Sequence, residues 1–359
     1  MLFIRINQSI RLLLPFRMDR PISIKRRPTQ ADVARIAGVS QAMVSYVLND
    51  NPDVSISAET RQRILDSVAS LGYVPNASAR SLRTNRTYTI ASIIPDVTNP
   101  FYPALERGIQ DVADQHDYDL IIYNTDGLPQ REEKCLRSVQ QGRVDGIIGV
   151  FFHTSARALI SLLDRNIAVV RLEASPKQAG ERPLDNVYVD NIKAAKAGVL
   201  YLLQKGYKRI GMLTGGIGPG QPRLFGYREA HAELGQEVDE RLVFETDFTE
   251  AGGQTGMQAL LGGEIMPDAV FAANDMMAMG ALVALRGAGF RVPEDIAVMG
   301  FDNIPTAKLV SPPLTTVGQS QNRMGRRAAE MLFERLNGAS ALPGRCDELP
   351  FEIIVRGSA

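Results

Sequence analysis

The 359-residue chain has little of several residue types on which whole classes of protein depend. It has two cysteines, Cys135 and Cys346, and no tryptophan. Two cysteines cannot form a disulfide scaffold, and neither lies in a Cys-x-x-Cys motif, so a reducing cytoplasm is the expected compartment. The three histidines, His116, His153 and His231, are far apart and have no cysteines near them. We therefore expect no metal site and no cofactor.

Long apolar runs and low-complexity segments are also missing. No stretch reaches the roughly 20 consecutive apolar residues of a membrane-spanning helix, which excludes an integral membrane protein. With 45% hydrophobic and 22% charged residues the chain can bury a sizeable core, which excludes a mostly disordered or fibrous protein. The length predicts about two to two and a half domains.

The first residues are apolar but do not form a signal peptide pattern. Arg5 and Arg11 interrupt the apolar run, and no small-residue cleavage site follows it. We expect residues 1–27 to be a disordered basic arm. The alternative that translation starts at Met18 stays open, in which case the preceding stretch is an artefact of gene prediction.

Charge is balanced overall but unevenly spread. The chain has 40 basic and 40 acidic residues, yet residues 1–87 hold 13 of the basic and 6 of the acidic ones. A basic N-terminal quarter on an acidic remainder is typical of a small polyanion-binding module attached to a domain with another task. A chance cluster of solvated charge is the alternative until a motif is found.

A short helix is predicted directly after the basic arm. Thr29 to Asp32 has the pattern of a capping box, and Val33, Ile36 and Ala37 form the apolar stripe of the helix that follows. Gly38 supplies the positive φ that ends this helix.

Two more helices follow, and the first of them has a polar face. Residues 41–48 are capped by Ser40, bury Val44, Val47 and Leu48, and present Gln41, Ala42, Ser45, Tyr46 and Asn49 to solvent. The last helix begins at Ser57 and carries Ile64, Val68 and Leu71 at helical spacing. This arrangement predicts a helix-turn-helix, whose second helix fits the major groove of DNA. A three-helix packing module without nucleic acid is the alternative, against which the amide and hydroxyl side chains argue.

Four motifs in this region form a recognisable set. They are ADVARIAGVS at 31–40, VSYVLN at 44–49, SAETR at 57–61 and GYVPN at 72–76. With them, residues 29–83 resemble the DNA-binding headpiece and hinge helix of the lactose repressor (LacI/GalR) family.

The resemblance implies DNA contacts for particular residues. The positions that read bases are matched by Gln41, Ala42 and Tyr46. The positions that hold phosphates are matched by Thr29, Ser40, Ser45, Asn49, Ser57 and Thr60. The hinge positions in the minor groove are matched by Asn76, Ala79 and Leu82, of which Leu82 would insert between base pairs. Many relatives have arginine where Tyr46 stands, so no arginine-to-guanine contact is implied at this position.

Residues 88–359 alternate short apolar runs with amphipathic helical stretches. Residues 90–94, 147–152 and 296–299 are among the strand candidates, and residues 194–203 and 277–285 among the helices. The alternation predicts an α/β fold with two parallel sheets, each covered by helices.

This body resembles the effector-binding core of the same family, which is similar to periplasmic sugar-binding proteins. The resemblance rests on IPDVTNPFY at 94–102, RVDGI at 143–147, RLFGYR at 223–228, AND at 273–275, GFDN at 300–303 and SPPLTT at 311–316. It implies two doubly wound subdomains. We expect the helix-turn-helix at 28–74, a hinge helix and linker at 75–87, and a core at 88–359. The core would divide into about 88–188 with 319–348, and 189–318 with 349–359.

Ligands of open parallel sheets bind beyond the carboxyl ends of the strands. By the resemblance, Glu173, Arg223, Asn274 and Asp302 match positions that hydrogen-bond an effector, and Phe101 and Phe248 match positions that pack on it. Asp96 follows a strand candidate and is added to this site, and Gln321 stands where the lactose repressor has an aromatic residue. Carboxylates, amides and aromatic rings suit a polyhydroxylated ligand. A purely structural role as a helix or turn cap is the alternative, above all for Asn274 and Asp275.

Other classes of function are weighed against this one. The glycine-rich stretch at 215–220 follows a strand candidate, but it lacks the last glycine of GxGxxG, and the chain has no GxxxxGK[ST] or GxSxG motif. An enzyme is therefore not expected. A periplasmic solute-binding protein would explain the body but not the attached headpiece.

The sequence thus predicts a DNA-binding transcriptional regulator. It favours a repressor that acts as a homodimer on a pseudo-palindromic operator and is controlled by a sugar or related polar metabolite. Nothing after Val355 resembles a tetramerising zipper, which favours the dimer. Induction and corepression both stay open, and so does a nonspecific or corepressor-dependent DNA binder.

Overall fold

The computed structural model describes residues 26–49, 54–75, 81, 84–339 and 342–359. The chain divides into two compact units, Met1–Arg80 and Ser81–Ala359. In the described part, no helix is long and apolar enough to cross a membrane.

The described part of the first unit contains three helices, α1 (Gln30–Ala37), α2 (Gln41–Leu48) and α3 (Ala58–Leu71). Thr29 and Asp32 form a capping box at the start of α1, and Gly38 ends the helix at φ 65°. Ser40 and Ser57 cap α2 and α3 with their side-chain oxygens. These local predictions agree with the structure.

The core of this unit differs most from the prediction at Ile36. Val33, Val44, Val47 and Ile64 are buried as expected, but Ile36 is 49% exposed. A helix turns by about 100° per residue, so residues 33, 34 and 37 share a face while residue 36 lies beyond its edge. Ala34 therefore takes the place predicted for Ile36.

The second unit contains two six-stranded sheets, in which all strand pairs but one are parallel. The first sheet has the strand order β11-β5-β4-β3-β1-β2, and all of its pairs are parallel. Its strands are β1 (Thr89–Ile94), β2 (Asp119–Asn124), β3 (Gly146–Gly149), β4 (Ala168–Glu173), β5 (Leu184–Tyr188) and β11 (Cys346–Glu348). The helices between these strands are α4 (Phe101–Gln115), α5 (Pro129–Val139) and α6 (Ala156–Leu163).

The second sheet has the order β12-β10-β9-β8-β6-β7, in which β12 alone pairs antiparallel. Its strands are β6 (Ile210–Gly215), β7 (Val243–Thr246), β8 (Ala269–Ala272), β9 (Ala297–Asp302), β10 (Thr315–Gln319) and β12 (Phe351–Ile354). The remaining helices are α7 (Asn191–Gln204), α8 (Gly220–Glu233), α9 (Glu250–Leu261), α10 (Asp275–Gly287) and α11 (Gln321–Leu336). Short 3-10 helices occur at Glu240–Leu242 and Pro305–Lys308.

The chain passes between the two sheets three times. It crosses after β5, after β10 and after β11, and α11 returns to pack on the first sheet. The predicted α/β fold with two parallel sheets is confirmed.

Helix α4 packs closely against α11 on one face of the first sheet. A Cβ atom on Gly325 would collide with the backbone oxygen of Leu105, and one on Gly108 would collide with that of Asn322. Glycine therefore allows these two helices to touch backbone to backbone. This contact sets the position of the first turn of α4, which carries Phe101 and Tyr102.

Candidate functional site

The exposed face of α2 consists of polar and small side chains. Gln41, Ala42, Tyr46 and Asn49 are exposed and Ser45 is half-buried, while Val44 and Val47 face the core. The helix carries no charged residue. Amide and hydroxyl groups can donate to and accept from base edges, so this face has the chemistry for direct readout.

Residues matched to phosphate contacts also cap the three helices. Thr29, Ser40 and Ser57 each accept a hydrogen bond from a backbone N–H in the first turn, from Asp32, Met43 and Thr60 respectively. Helix N-termini with free N–H groups attract phosphate. Each cap therefore holds a helix end in the conformation that an anion needs.

The other polar side chains of this unit are held by their neighbours. The Asn49 amide donates to the backbone oxygen and the Oγ of Ser45, at 2.5 and 3.2 Å. The Ser57 hydroxyl donates to Oγ1 of Thr60 at 3.0 Å. The hinge residues Asn76, Ala79 and Leu82 lie outside the described residues.

In the second unit, a cavity of about 430 Å³ lies between the carboxyl ends of the two sheets. We name it the cleft. Seven of the eight residues predicted to bind an effector line it: Asp96, Phe101, Glu173, Arg223, Phe248, Asn274 and Asp302. They come from both halves of the core, so a ligand in the cleft would touch both halves.

Arg223 is the centre of the hydrogen bonds in the cleft. Its Nε donates to Oδ1 of Asn191 at 2.7 Å, Nη2 donates to Oδ1 of Asp302 at 3.2 Å, and Nη1 donates to the backbone oxygen of Ala273. The guanidinium carbon lies 3.7 Å from the ring centroid of Phe301. Burial lowers the pKa of Arg223, and the charge of Asp302 opposes that effect.

Asp302 is buried to the same extent as Arg223. Burial raises the pKa of its carboxyl group, while Arg223 and Gln319 stabilise the carboxylate. The Gln319 amide donates to Oδ1 of Asp302 at 2.8 Å. The Asp302 backbone has φ 110°, in the left-handed region that side chains rarely adopt. Asp302 and Arg223 therefore form a buried, mutually neutralising pair that faces the cavity.

Asn274 caps the start of α10, which is the structural role predicted as an alternative for it, and it also lines the cleft. Its Oδ1 accepts from the Met277 N–H at 2.8 Å, and its amide donates to the backbone oxygen of Phe248 at 3.0 Å. The neighbouring Asp275 has a structural environment. It accepts from the Ile304 N–H and from the Thr316 hydroxyl, and burial raises its pKa to about 8.

The first sheet contributes a more open side of the cleft. Glu173 lies 3.2 Å from Arg171 and 3.8 Å from Lys177, and burial raises the pKa of its carboxyl group. Asp96 accepts from the N–H and the hydroxyl of Thr98 in an exposed turn. Lysine and carboxylates thus face the cavity together.

Gln321 is not among the residues that line the cleft, and its contact with an effector stays a prediction. It begins α11, and its amide donates to the backbone oxygen of Asp302. Gln319, the last residue of β10, lines the cavity instead. Strand β10 ends at Gln319, so this residue lies at the carboxyl end of the strand.

Other residues that line the cleft were not predicted from the sequence, among them Tyr102, Phe152, Lys177, Asn191 and Gln319. Burial raises the pKa of Tyr102, and the charge of Asp302 adds to this effect. Asn191 directly follows β5 and its crossing segment, and Phe152 follows β3, so the rule that ligands lie after strands could have found both. In the described residues, no group of three or more His, Cys, Asp or Glu side chains could hold a metal ion.

Two family profiles match the chain. Residues 29–76 match bacterial regulatory proteins of the lacI family, and residues 199–359 match a periplasmic binding protein-like domain.

Known proteins are similar along nearly the whole chain. The ribose operon repressor of Escherichia coli (strain K12) is 34% identical over 335 residues, which cover 92% of this chain and 99% of the repressor. The transcriptional regulator CelR in complex with cellobiose has a TM-score of 0.69 and 32% identity, over 93% of this chain and all of that one. The lac repressor dimer bound to operator and the anti-inducer ONPF has a TM-score of 0.82, 24% identity and coverage of 93% and 99%.

Proposed function

This chain belongs to the lacI family of bacterial regulatory proteins, and from that membership we propose that it is a repressor whose operator affinity is set by an uncharged sugar in the cleft. In this proposal the protein acts in the cytoplasm, binds and releases its ligands, and performs no catalysis. The observation that carries it is the Arg223–Asp302 pair, which is buried, neutral as a unit and exposed to the cavity.

The pair explains why an uncharged polyhydroxylated ligand fits. Arg223 already donates to Asn191, Ala273 and Asp302, so its charge is compensated inside the protein. An anionic ligand would meet the carboxylate of Asp96 across the cavity, and that of Glu173, whose charge is partly offset by Arg171 and Lys177. Sugar hydroxyls, by contrast, can donate to carboxylates and accept from the free N–H groups of Arg223. Phe101 and Phe248 supply faces for the apolar side of a sugar ring.

The operator is bound by the first unit. Gln41, Ala42 and Tyr46 contact base edges in the major groove. The phosphates are held by Thr29, Ser40, Ser45, Asn49, Ser57 and Thr60. Asn76, Ala79 and Leu82, which lie outside the described residues, contact the minor groove by resemblance to the family.

The protein binds its operator as a homodimer. Ile121 and Ile122 are 38% and 44% exposed on β2, the edge strand of the first sheet. An exposed apolar edge strand offers both backbone groups and apolar area to a partner. A second copy of the chain covers it, and the resulting two-fold symmetry requires a pseudo-palindromic operator.

Ligand and operator are coupled through the arrangement of the two halves of the core. A sugar that touches both sheets favours one arrangement, and by linkage the operator affects sugar affinity by the same factor. A sugar that prefers the arrangement unable to bind DNA is an inducer. One that prefers the competent arrangement is a corepressor.

The test has two steps. DNA fragments bound at physiological salt are first selected from genomic DNA, and we expect one palindromic motif. The purified protein is then titrated calorimetrically with D-ribose and cellobiose, and with D-ribose 5-phosphate and glucuronate as charged counterparts. We expect a neutral sugar to bind and the charged compounds to bind at least tenfold more weakly. Tighter binding of a charged compound would contradict the proposed ligand class.

A further inference from the structure

The glycine-rich stretch at 215–220 has no role in the function proposed so far. Gly215 and Gly220 are held within their own half of the core, where Gly215 lies against Phe248 and Gly220 against the backbone of Gly215. A Cβ atom on Gly216 would be 2.7 Å from Oε1 of Glu245, on the neighbouring strand β7. These contacts fix the loop that follows β6.

Gly218 contacts the opposite half of the core. A Cβ atom built on Gly218 would lie 2.5 Å from Cε1 and 2.7 Å from Cζ of Phe152, in the loop after β3. Next to this contact, Cδ1 of Ile217 would lie 3.4 Å from a Cβ atom on Gly127, in the loop after β2. Carbon atoms pack at about 3.5–4.0 Å, so Phe152 and Gly218 touch across the cleft with no room for a methyl group.

The Phe152 loop is held by a buried carboxylate. Glu132, which is 1% exposed, accepts from the Phe152 N–H at 2.8 Å and from the His153 N–H at 3.2 Å. Its Oε2 also accepts from the Thr154 hydroxyl at 2.7 Å. A buried carboxylate with three donors fixes the backbone of this loop, so Phe152 cannot easily withdraw from Gly218.

The contact lies at the side of the cleft away from the crossing segments. The crossings follow β5, β10 and β11, which lie at one end of each sheet order. Strands β2 and β6, which precede Gly127 and Ile217, lie at or beside the other end, and β3, which precedes Phe152, is separated from β5 by β4. A rotation about the crossing segments moves this far side most. Opening of the cleft about these segments would therefore separate Phe152 from Gly218.

We propose that Phe152 and Gly218, flanked by Gly127 and Ile217, form a latch that holds the two halves of the core closed over the ligand. The latch rests on the proposed effector role of the cleft and adds to it a determinant of ligand residence time. Phe152 and Gly218 act as positioning residues, since they keep closed the arrangement in which Arg223 and Asp302 face the ligand.

The test compares two glycine substitutions with the same backbone strain. Gly218 has φ 58° and Gly235 has φ 66°, but a Cβ atom on Gly235 has nothing within 4 Å. Gly218→Ala adds a methyl group against Phe152, whereas Gly235→Ala adds one in open space. Each is also made together with Phe152→Ala, which removes the ring that the methyl group would meet.

The first readout needs no ligand. Nitroxide labels are placed on Leu128→Cys and Gln221→Cys, two exposed positions on either side of the latch, in a Cys135→Ser, Cys346→Ser full-length chain. Labelled chain is diluted with unlabelled chain, and label-to-label distances are measured by pulsed electron paramagnetic resonance. We expect Gly218→Ala to lengthen or broaden the distribution, Gly235→Ala to leave it unchanged, and Gly218→Ala to add nothing in the Phe152→Ala background. Identical distributions for Gly218→Ala and Gly235→Ala would overturn the latch.

The second readout uses D-ribose and cellobiose as probes. For whichever sugar binds, we expect Gly218→Ala to raise the dissociation rate about tenfold or more and Gly235→Ala to change it less than about twofold. Equal dissociation rates for the two variants would contradict the latch. If neither sugar binds, the proposed ligand class fails, and the distance measurement still decides whether the latch exists.

Discussion

The side chains of α2 that are proposed to contact DNA face solvent. The side chains of the cleft that are proposed to contact the sugar are part of the core. Gln41 and Asn49 on α2 are exposed, but Arg223 and Asp302 are each only 4% exposed. An exposed side chain such as that of Gln41 can therefore be changed with little effect on folding. Arg223 and Asp302 both hold the core together and face the ligand, so binding and stability cannot be changed separately there.

The largest effect is expected for Arg223→Ala. It leaves the buried Asp302 carboxylate without its partner, which costs about 3–5 kcal/mol of core stability. Urea unfolding followed by circular dichroism measures this loss, and calorimetry measures the accompanying loss of sugar binding. The control is Arg228→Ala on the same helix, which breaks an exposed pair with Glu240 and costs less than about 1 kcal/mol. Equal stability of the two variants would show that the cleft is not part of the core.

The two units should also respond to pH in opposite directions. In the core, burial raises the pKa of Glu106 to about 7, and among the described residues only Ser92 donates a hydrogen bond to it. Because the folded state holds this proton more tightly than the unfolded state, core stability falls as pH rises through about 7, by up to about 3 kcal/mol. In the first unit, hydrogen bonds from Thr29 lower the pKa of Asp32, so stability is lost as pH falls below the ordinary range of a carboxyl group.

The Glu106→Gln variant tests whether this carboxyl group causes the pH dependence of the core. Unfolding of the wild type and of this variant at pH 5, 7 and 9 should diverge with rising pH, since the amide has no proton to lose. Parallel losses of stability in both proteins would mean that the buried carboxyl group does not cause the pH dependence of the core.

A smaller effect is expected on α2, and on binding alone. Gln41→Ala should change base preference at one operator position by about 1–3 kcal/mol, whereas Asn49→Ala should weaken binding to all sequences alike. Affinities for a set of single-base operator variants, measured at fixed salt, distinguish the two. A uniform loss for Gln41→Ala would remove it from base readout.

The smallest effect comes from the helix caps. Ser40 caps α2 and Ser155 caps α6, so replacing either by alanine should cost about 1 kcal/mol of stability in its own unit. Ser40→Ala should in addition weaken DNA binding, because the same cap is proposed to hold a phosphate. Unfolding curves and operator titrations of both variants check this, and unchanged operator affinity for Ser40→Ala would confine the residue to capping.

The two units also differ in how much of their structure the sequence could predict. The helices of the first unit start and stop at local signals, such as the capping box at Thr29 and the left-handed Gly38, and these were predictable within a few residues. Ile36 was misplaced because an eight-residue helix carries too few apolar positions to define its buried face. Burial there depends on α2 and α3.

The cleft is assembled from residues far apart in the chain, and periodicity alone could not join them. The sequence nevertheless predicted correctly that Asp96, Glu173 and Asp302 line the cleft, because each follows or ends a strand and because of the family resemblance. For Gln321 only the family resemblance was available, and the glutamine that lines the cavity at this point is Gln319, at the end of β10. The contact of Gly218 with Phe152 could not be predicted, since it depends on the packing of two loops from different halves of the core.

The central claim is that a sugar in the cleft sets the affinity for the operator. It is tested most directly by titrating the selected palindromic operator with wild-type protein, Arg223→Ala and Arg228→Ala, each with and without the sugar found by calorimetry. We expect the sugar to change operator affinity at least about tenfold for the wild type and Arg228→Ala, and to have no effect on Arg223→Ala. Motif-free binding that depends only on salt, or an equal sugar response in all three proteins, would contradict the account.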